Sequence, residues 1–253
     1  MPDRRVAIVT GAAGGIGAAS ALALAREGWS LVLADARDTD ALLAEVRALG
    51  ARAMSWMLDV TSKRSIDALV AATLGAFGRI DALVNVAGVV GFGSAADMPE
   101  EEWDRVMAVN LKGSFLCCQA VIAPMRAQGS GRIVNIGSII GKNGGNARPW
   151  IDRGEQMRSS SIAYGVSKAG VHAMTYFLAK ELAADNIAVN AVAPGPIASA
   201  MTTGFPDALR ALIPAGRMGR AEEVARVVAF LASPETTFVT GEIIDINGGM
   251  WMD

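Results

Sequence analysis

The chain has 253 residues, 52% of them hydrophobic, and a formal charge of −2 from 23 basic and 25 acidic side chains. This length and composition predict one α/β domain with a sizeable core, and a near-neutral charge without a basic run gives no support for nucleic-acid binding. No apolar stretch approaches the roughly 20 residues of a membrane-spanning helix, and the first residues lack a signal-peptide pattern, so we expect a cytoplasmic protein that binds no membrane.

The first predicted strand, Arg5 to Val9, leads into a glycine-rich turn at residues 10–17 and then into a helical pattern. In this context glycines let the backbone approach a phosphate, and the helix amino terminus offers free N–H groups to a diphosphate. Glycines that serve packing alone are the alternative. The predicted diphosphate-binding residues are Gly11, Gly15, Ile16 and Gly17.

The second predicted strand, Ser30 to Ala34, ends at Asp35, 18 residues after Gly17. A carboxylate at about this spacing accepts hydrogen bonds from the adenosine ribose of a dinucleotide. It also repels a 2′-phosphate, which favours NAD as the cofactor. Arg37 lies nearby and keeps NADP open as the alternative.

Five more strand-like runs follow, separated by helical patterns. They cover residues 53–58, 81–84, 132–136, 187–192 and 242–246. The helical patterns cover residues 38–49, 62–77, 99–125 and 221–231, and Cys117 and Cys118 fall within the third. Adjacent cysteines cannot form an ordinary disulfide, so we expect buried thiols. Continuous alternation predicts a Rossmann-type α/β fold: a single domain with a doubly wound parallel sheet of about seven strands flanked by helices.

Two segments carry no clear periodicity. Residues 142–161, here called the insertion, are rich in Gly, Asn, Arg and Ser, and a loop of this length in a compact domain is usually functional or mobile. Residues 197–220, here called the lid, are irregular and contain glycines and prolines that suit a substrate cover.

A long helix is predicted after the insertion, and it carries Tyr164 and Lys168 four residues apart on one face. A phenol beside an ammonium can transfer protons, because the cation favours the phenolate. The pair also occurs by chance on many helices, so its interpretation depends on the rest of the chain.

The motifs together resemble those of the short-chain dehydrogenase/reductase family over essentially the whole chain. The matching pieces are Thr10-Gly11-x-x-x-Gly15-Ile16-Gly17, Asp59-Val60, Asn85-x-Ala87-Gly88, Asn110, Ser138, Tyr164-x-x-x-Lys168 and Pro194-Gly195. Each falls in the expected order, at a strand end or on a helix.

The resemblance implies a role for each catalytic position. Tyr164 would be the acid/base, Lys168 would lower its pKa and hold the nicotinamide ribose, Ser138 would polarise the substrate carbonyl, and Asn110 would hold a water that links Lys168 to solvent. The resemblance assigns the remaining positions to the cofactor and implies no metal. These positions are Asp59, Val60, Asn85, Ala87, Gly88, Ile197 and Ser199.

The chain departs from the family pattern in three places. Val86 replaces a second asparagine, and Gly137 stands where a serine often precedes the catalytic one. The third departure is the separation of Ser138 from Tyr164 by 26 positions, about twice the family distance, which places the insertion beside the site. The sole histidine, His172, is interpreted as a packed or interfacial side chain, with proton relay as the alternative.

The insertion carries a local excess of positive charge in a chain that is net negative. We therefore expect an anionic substrate group to meet at least one of its arginines, since a guanidinium holds a carboxylate or phosphate bidentately. A solvated or subunit-docking loop is the alternative. The arginines concerned are Arg148, Arg153 and Arg158.

The sequence thus favours an NAD-dependent enzyme that interconverts a secondary alcohol and a ketone, and a homotetramer, since the family pairs the helices that carry Asn110 and Tyr164. One alternative is an NADP-dependent 3-oxoacyl-thioester reductase, because Arg217-Met218-Gly219-Arg220, followed by Glu222-Glu223-Val224, resembles that branch. Another is a dinucleotide-binding protein without catalysis, which the intact Asn110, Ser138, Tyr164 and Lys168 argue against.

Overall fold

The computed structural model describes residues 5–145, 148–198 and 206–252. Seven parallel strands form one sheet, in the order β3-β2-β1-β4-β5-β6-β7. The strands are β1 (Val6–Thr10), β2 (Ser30–Asp35), β3 (Ala53–Met57), β4 (Ala82–Asn85), β5 (Gly131–Ile136), β6 (Ile187–Pro194) and β7 (Ile243–Ile246). The strand order reverses between β1 and β4, and such a reversal opens a crevice at the carboxyl ends of the strands. The predicted doubly wound sheet is confirmed.

Helices cover both faces of the sheet. They are α1 (Gly15–Arg26), α2 (Asp40–Ala48), α3 (Lys63–Phe77), α4 (Glu100–Met107), α5 (Ser114–Gln128), α6 (Ile140–Asn143), α7 (Arg153–Ser159), α8 (Ile162–Leu182), α9 (Asp207–Arg210) and α10 (Ala221–Ala232). Buried side chains of α1, α2 and α10 form one apolar cluster, and those of α3, α5 and α8 form the other. The sheet lies between these two helical layers.

Strands β1, β2, β4 and β6 are buried and mainly apolar because both of their faces are covered. Along β1, Ala7 and Val9 belong to the first cluster, whereas Ile8 between them belongs to the second. This alternation follows from the two-residue period of a strand. Cys117 and Cys118 are buried in α5, as expected, and burial raises the pKa of the Cys117 thiol to about 12.

The insertion is not a plain loop, so that part of the prediction is wrong. It holds the end of α6 and the whole of α7, whose first turn is capped by Asp152, a side chain that accepts from the N–H of Glu155 at 2.7 Å. A helix of seven residues is too short to show a helical period in the sequence. The described part of the lid likewise holds one short helix, α9.

The expectation that no apolar stretch reaches membrane-spanning length is also wrong for one segment. Helices α4 and α5 run on through a π-helical segment, Ala108–Gly113, and an 18-residue window of this 29-residue run has a mean hydropathy of 1.5. Core helices of soluble domains pass the same test, and α5 buries Val121 and Met125 in the second cluster. The run is therefore weak support for a membrane span, and cytoplasmic localisation stays a prediction.

Candidate active site

The glycine turn after β1 packs closely against the end of β4. Gly11 has a φ of +65°, and a Cβ built on it would lie 2.6 Å from the backbone nitrogen of Ala87. A Cβ on Gly17 would overlap the carbonyl oxygen of Gly11. Packing therefore requires both glycines.

Gly15 differs from these two, because a Cβ on it would meet no atom within 4 Å. It opens α1 with a φ of +54°, and Ile16 behind it packs on the first apolar cluster. The turn therefore presents free backbone at a helix amino terminus with open space beside it, an arrangement that fits the diphosphate of a dinucleotide.

Asp35 fastens the glycine turn to the end of β2. Its carboxylate accepts from the N–H of Ala13 and from the N–H of Arg37, both at 2.9 Å. The guanidinium of Arg37 lies 3.4 Å from the same carboxylate and 3.8 Å from the position of a Cβ on Gly14, and its side chain is 72% exposed. Charges of both signs thus stand beside the predicted ribose position.

The other predicted cofactor residues that follow β3 or end β4 make different contacts. The carboxylate of Asp59 is exposed and accepts from the N–H of Thr61 at 2.9 Å, while Val60 is buried against Gly113. Asn85 is buried and donates to Asn135 at 3.0 Å, which ties β4 to β5. These contacts give Val60 and Asn85 structural roles, and their contribution to cofactor binding stays a prediction.

The segment after β4 approaches α8. The hydroxyl of Thr10 accepts from the N–H of Ala87 at 3.3 Å. A Cβ on Gly88 would lie 3.3 Å from the side-chain oxygen of Asn110 and 3.6 Å from Nζ of Lys168. Only a residue without a side chain fits easily between these two polar groups.

Asn110 lies in the π-helical segment and is fully buried. Its side-chain oxygen accepts from the N–H of Val89 at 2.8 Å, and its amide donates to the carbonyl of Val89 at 2.9 Å and to the hydroxyl of Ser167 at 3.0 Å. The amide therefore joins the segment after β4 to α8. The water that Asn110 is predicted to hold stays a prediction.

The structure brings Ser138, Tyr164 and Lys168 together across the insertion. The side chains of Ser138 and Tyr164 are hydrogen-bonded to each other. Nζ of Lys168 donates to the carbonyl of Ile136 at 2.7 Å and lies 5.7 Å from the centre of the Tyr164 ring. Two hydroxyl groups and one ammonium thus meet at the carboxyl end of β5.

Burial sets the protonation of this group. It raises the pKa of Tyr164, a half-buried side chain, and the hydrogen bond from Ser138 acts in the opposite direction. Burial also lowers the pKa of Lys168 to about 8. The phenol is therefore protonated at neutral pH, which suits a proton donor. The lowering of the Tyr164 pKa by Lys168 stays a prediction.

The two ends of the lid are described only in part. Ile197 is buried and pairs with Gly219, and the N–H of Ala198 donates to the carbonyl of Gly219 at 2.8 Å. Ser199 lies outside the described residues. The predicted contact of Ile197 and Ser199 with the nicotinamide carboxamide stays a prediction.

The insertion docks beside the site. The N–H of Gly93, on the segment after β4, donates to the carbonyl of Ser160 at 2.8 Å. Arg148 forms a bidentate ion pair with Glu155, at 3.1 and 2.6 Å, and holds the pKa of that carboxyl at about 2. Arg148 is therefore paired within the insertion, and the predicted contact with an anionic substrate group depends on the exposed Arg153 and Arg158.

The contact that His172 makes was not predicted from the sequence. The imidazole is buried, as expected of a packed side chain, and its Nε2 accepts from the backbone N–H of Ser138 at 3.3 Å. The four-residue spacing of Tyr164, Lys168 and His172 on one helix was a usable signal.

The motif at residues 217–224, which resembles the thioester reductase branch, leads into the first turn of α10. Arg217 pairs bidentately with Glu223, at 2.9 and 2.7 Å, and the N–H of Arg220 donates to Glu223 at 2.8 Å. These contacts cap the helix. A structural role therefore accounts for Arg217 and Glu223.

Comparison with known proteins gives consistent matches. Residues 11–251 match the family described as enoyl-(acyl carrier protein) reductase. The chain is 41% identical to the 3-oxoacyl-[acyl-carrier-protein] reductase of Thermotoga maritima, over 98% of each chain, and 40% identical to that of Synechocystis, over 98% of this chain and 97% of the relative. The crystal structure of a short-chain type dehydrogenase/reductase from Mycobacterium marinum superposes with a TM-score of 0.90 at 32% identity, covering 98% of this chain and 96% of the other.

The close packing at Gly17 generates the first prediction. Gly17→Ala forces the glycine turn at Gly11 away from the start of α1, so we expect the affinity for a nicotinamide dinucleotide to fall at least about tenfold, a loss of roughly 1.4 kcal/mol. The fluorescence of the reduced dinucleotide measures this binding. Gly75→Ala is the control, because Gly75 also lies in a helix and a Cβ there would meet no atom within 4 Å. Unchanged affinity in Gly17→Ala would contradict the assignment.

Proposed function

Because the chain belongs to the short-chain dehydrogenase/reductase family, we propose that it reduces the keto group of a 3-oxoacyl thioester to a hydroxyl group. The single observation that carries this proposal is the hydrogen-bonded pair of Ser138 and Tyr164 beside the buried ammonium of Lys168. The names of the relatives support the thioester as substrate. They favour this alternative over the simple secondary alcohol that the sequence analysis puts first.

The residues of the site divide the chemistry among them. The dinucleotide, when bound, supplies the hydride. The hydroxyl of Ser138 is placed to donate to the keto oxygen, and the phenol of Tyr164 to give that oxygen a proton. Lys168, held by Ile136, keeps its ammonium beside the phenol, where positive charge favours the loss of the proton.

The protonation of the site supports reduction as the direction at neutral pH. Burial raises the pKa of Tyr164, so the phenol carries its proton when a ketone arrives. An alcohol, by contrast, must lose its proton to a phenolate, and the raised pKa makes the phenolate scarce. Oxidation should therefore need more alkaline conditions than reduction.

The proton transfer gives the second prediction. Tyr164→Phe removes the proton donor and should lower kcat by about 10² to 10⁴, the usual contribution of general acid catalysis, while dinucleotide binding stays. The assay follows loss of the reduced dinucleotide at 340 nm with a 3-oxoacyl thioester of coenzyme A. Tyr176→Phe, at the only other tyrosine and on the same helix, should keep wild-type activity.

Two outcomes would count against this role for Tyr164. A Tyr164→Phe variant that keeps more than about a tenth of the wild-type rate would show that another group supplies the proton. A wild-type chain that binds the dinucleotide but turns over no ketone or alcohol would favour the dinucleotide-binding protein without catalysis.

For the cofactor we propose NAD(H), and Asp35 supports it. Its carboxylate stands at the end of β2 and would repel a 2′-phosphate. One observation favours NADP(H) as a second candidate. The guanidinium of Arg37 is exposed and lies beside the glycine turn, where it could pair with a 2′-phosphate.

Cofactor choice gives the third prediction. Asp35→Ala removes a repulsive charge, so the ratio of kcat/KM for NADPH to that for NADH should rise about tenfold or more. Arg37→Ala should move this ratio in the opposite direction. Asp38→Ala, at an exposed acid three residues away, is the control and should leave it unchanged. A wild-type preference for NADPH in paired kinetic measurements would contradict the assignment of NAD(H).

We also propose a homotetramer, because two separate apolar surfaces are exposed. One is a groove beside α8, lined by Met107, Leu111, Phe115 and Met174, with Phe177 of α8 77% exposed. The other includes Phe230 of α10 and Phe238, which is fully exposed. Exposed apolar patches on soluble proteins mark interaction sites, and two different two-fold interfaces generate a tetramer.

The α8 surface gives the fourth prediction. Phe177→Glu places a charge on the proposed interface and should convert tetramers into dimers, as measured by light scattering. Phe92→Glu, at an exposed phenylalanine outside both surfaces, is the control and should stay tetrameric. A stable wild-type monomer at micromolar concentration would contradict the proposal.

A further inference from the structure

Helix α8 contacts the segment 136–138 with three successive turns. Tyr164, Lys168 and His172 follow one another at four-residue intervals, so they lie on one face of the helix. Tyr164 is bonded to the side chain of Ser138, Lys168 donates to the carbonyl of Ile136, and His172 accepts from the backbone N–H of Ser138 at 3.3 Å. The histidine is thus the third side chain on this face of α8 that contacts the segment containing the catalytic serine.

The space around the imidazole is kept free by glycines. A Cβ on Gly137 would overlap Nε2 of His172, and a Cβ on Gly141 would lie 3.1 Å from its Cε1 and 2.7 Å from the backbone nitrogen of Ala169. The imidazole therefore occupies the volume that a side chain at position 137 would need. Gly137 is one of the departures from the family pattern, and a glycine is needed there because the imidazole of the sole histidine fills the space beside it.

The contact fixes the protonation of Nε2. The N–H of Ser138 is a donor, so Nε2 must offer a lone pair, which only the neutral imidazole has. A second proton on the ring would turn Nε2 into a donor that faces another donor inside the protein, where an unmet hydrogen bond is costly. The backbone at Ser138, and with it the serine hydroxyl, would then have to move.

We propose that His172 is a positioning residue whose neutral imidazole holds the backbone of Ser138 in place, so that protonation of this one ring switches off the reductase. The inference rests on the proposed function, since it concerns the placement of its serine. Reduction needs Tyr164 protonated and tolerates Lys168 as the ammonium. Protonation of these two groups therefore predicts no loss of activity on acidification, whereas protonation of His172 does.

Within the described part of the chain, the titratable groups near the imidazole include Tyr164 and Lys168 on its own helix. Helix α6, packed against α8, contributes Lys142, which pairs with Asp245 of β7 at 3.0 Å. Strand β6, next to Gly137, contains no ionisable side chain. Because Lys142 and Asp245 carry opposite charges and are paired, we expect the protonation of the imidazole to have the larger effect on the contact with Ser138.

Two substitutions separate positioning from packing. His172→Gln keeps an acceptor, the amide oxygen, that does not titrate. We expect His172→Gln to retain kcat at mildly alkaline pH within about threefold of wild type, because the amide oxygen can replace the imidazole nitrogen as the acceptor of the hydrogen bond. We also expect it to lose the acid-side fall in kcat, because an amide does not titrate. His172→Leu removes the acceptor and should lower kcat about tenfold at every pH, with unchanged dinucleotide affinity.

Because the chain has one histidine, its ionisation can be read directly. The full chain, made without a histidine tag and with ¹⁵N-labelled histidine, should show by NMR an unprotonated Nε2 where the enzyme is active. The midpoint of its titration should coincide with the acid-side fall in kcat for a 3-oxoacyl thioester of coenzyme A. An Nε2 that carries a proton at the pH of full activity would overturn the proposal.

The outcomes separate this inference from the proposed function. His172→Leu with wild-type kcat and pH profile, together with an inactive Tyr164→Phe, would overturn the role of His172 and leave the reductase standing. An active Tyr164→Phe would overturn the reductase mechanism itself. Where His172→Leu fails to fold, as judged by circular dichroism, the pH profile of His172→Gln decides, and an unchanged acid-side fall overturns the role.

Discussion

The hydrogen bond from the buried ammonium of Lys168 to the carbonyl of Ile136, 2.7 Å long, is the contact on which the site depends. A buried charge is costly unless it is hydrogen-bonded, so this bond fixes α8 against the end of β5. With one turn of helix fixed, the turns on either side are placed as well. The helical period of α8 and the course of the chain after β5 then bring Tyr164 to the hydroxyl of Ser138 and His172 to its backbone N–H.

The sheet supplies the second half of the site through its topology. Parallel strands end at one edge, so the turn after β1 and the segment after β4 meet there although they are far apart in the sequence. Their contact is tight enough that only glycine fits at Gly11, which meets Ala87. Gly17 is packed against the carbonyl of Gly11 within the turn, whereas Gly15 faces open space. The same edge therefore has a packed side that holds the backbone and an open side that can receive a dinucleotide.

Much of this architecture could be predicted because short patterns in the sequence indicate it. The apolar strand runs, the glycine turn and the four-residue spacing of Tyr164 and Lys168 each indicate a regular element of secondary structure. The helix α7 could not be predicted, since its seven residues carry no period and depend on the cap from Asp152. The pairing of Arg148 with Glu155 was equally hidden, because it exists only once the insertion has folded. For the contact of His172 with Ser138, the helical spacing placed the histidine on the face of Tyr164 and Lys168, but its partner is set by how α8 packs on the segment after β5.

The proposed reductase takes its proton from a phenol that burial keeps protonated. The most direct measurement is a single turnover in which excess enzyme, loaded with reduced dinucleotide, is mixed with a 3-oxoacyl thioester of coenzyme A. One dinucleotide should be oxidised for each 3-hydroxyacyl thioester formed. Oxidation of simple secondary alcohols, with no turnover of any 3-oxoacyl thioester, would contradict the proposed function.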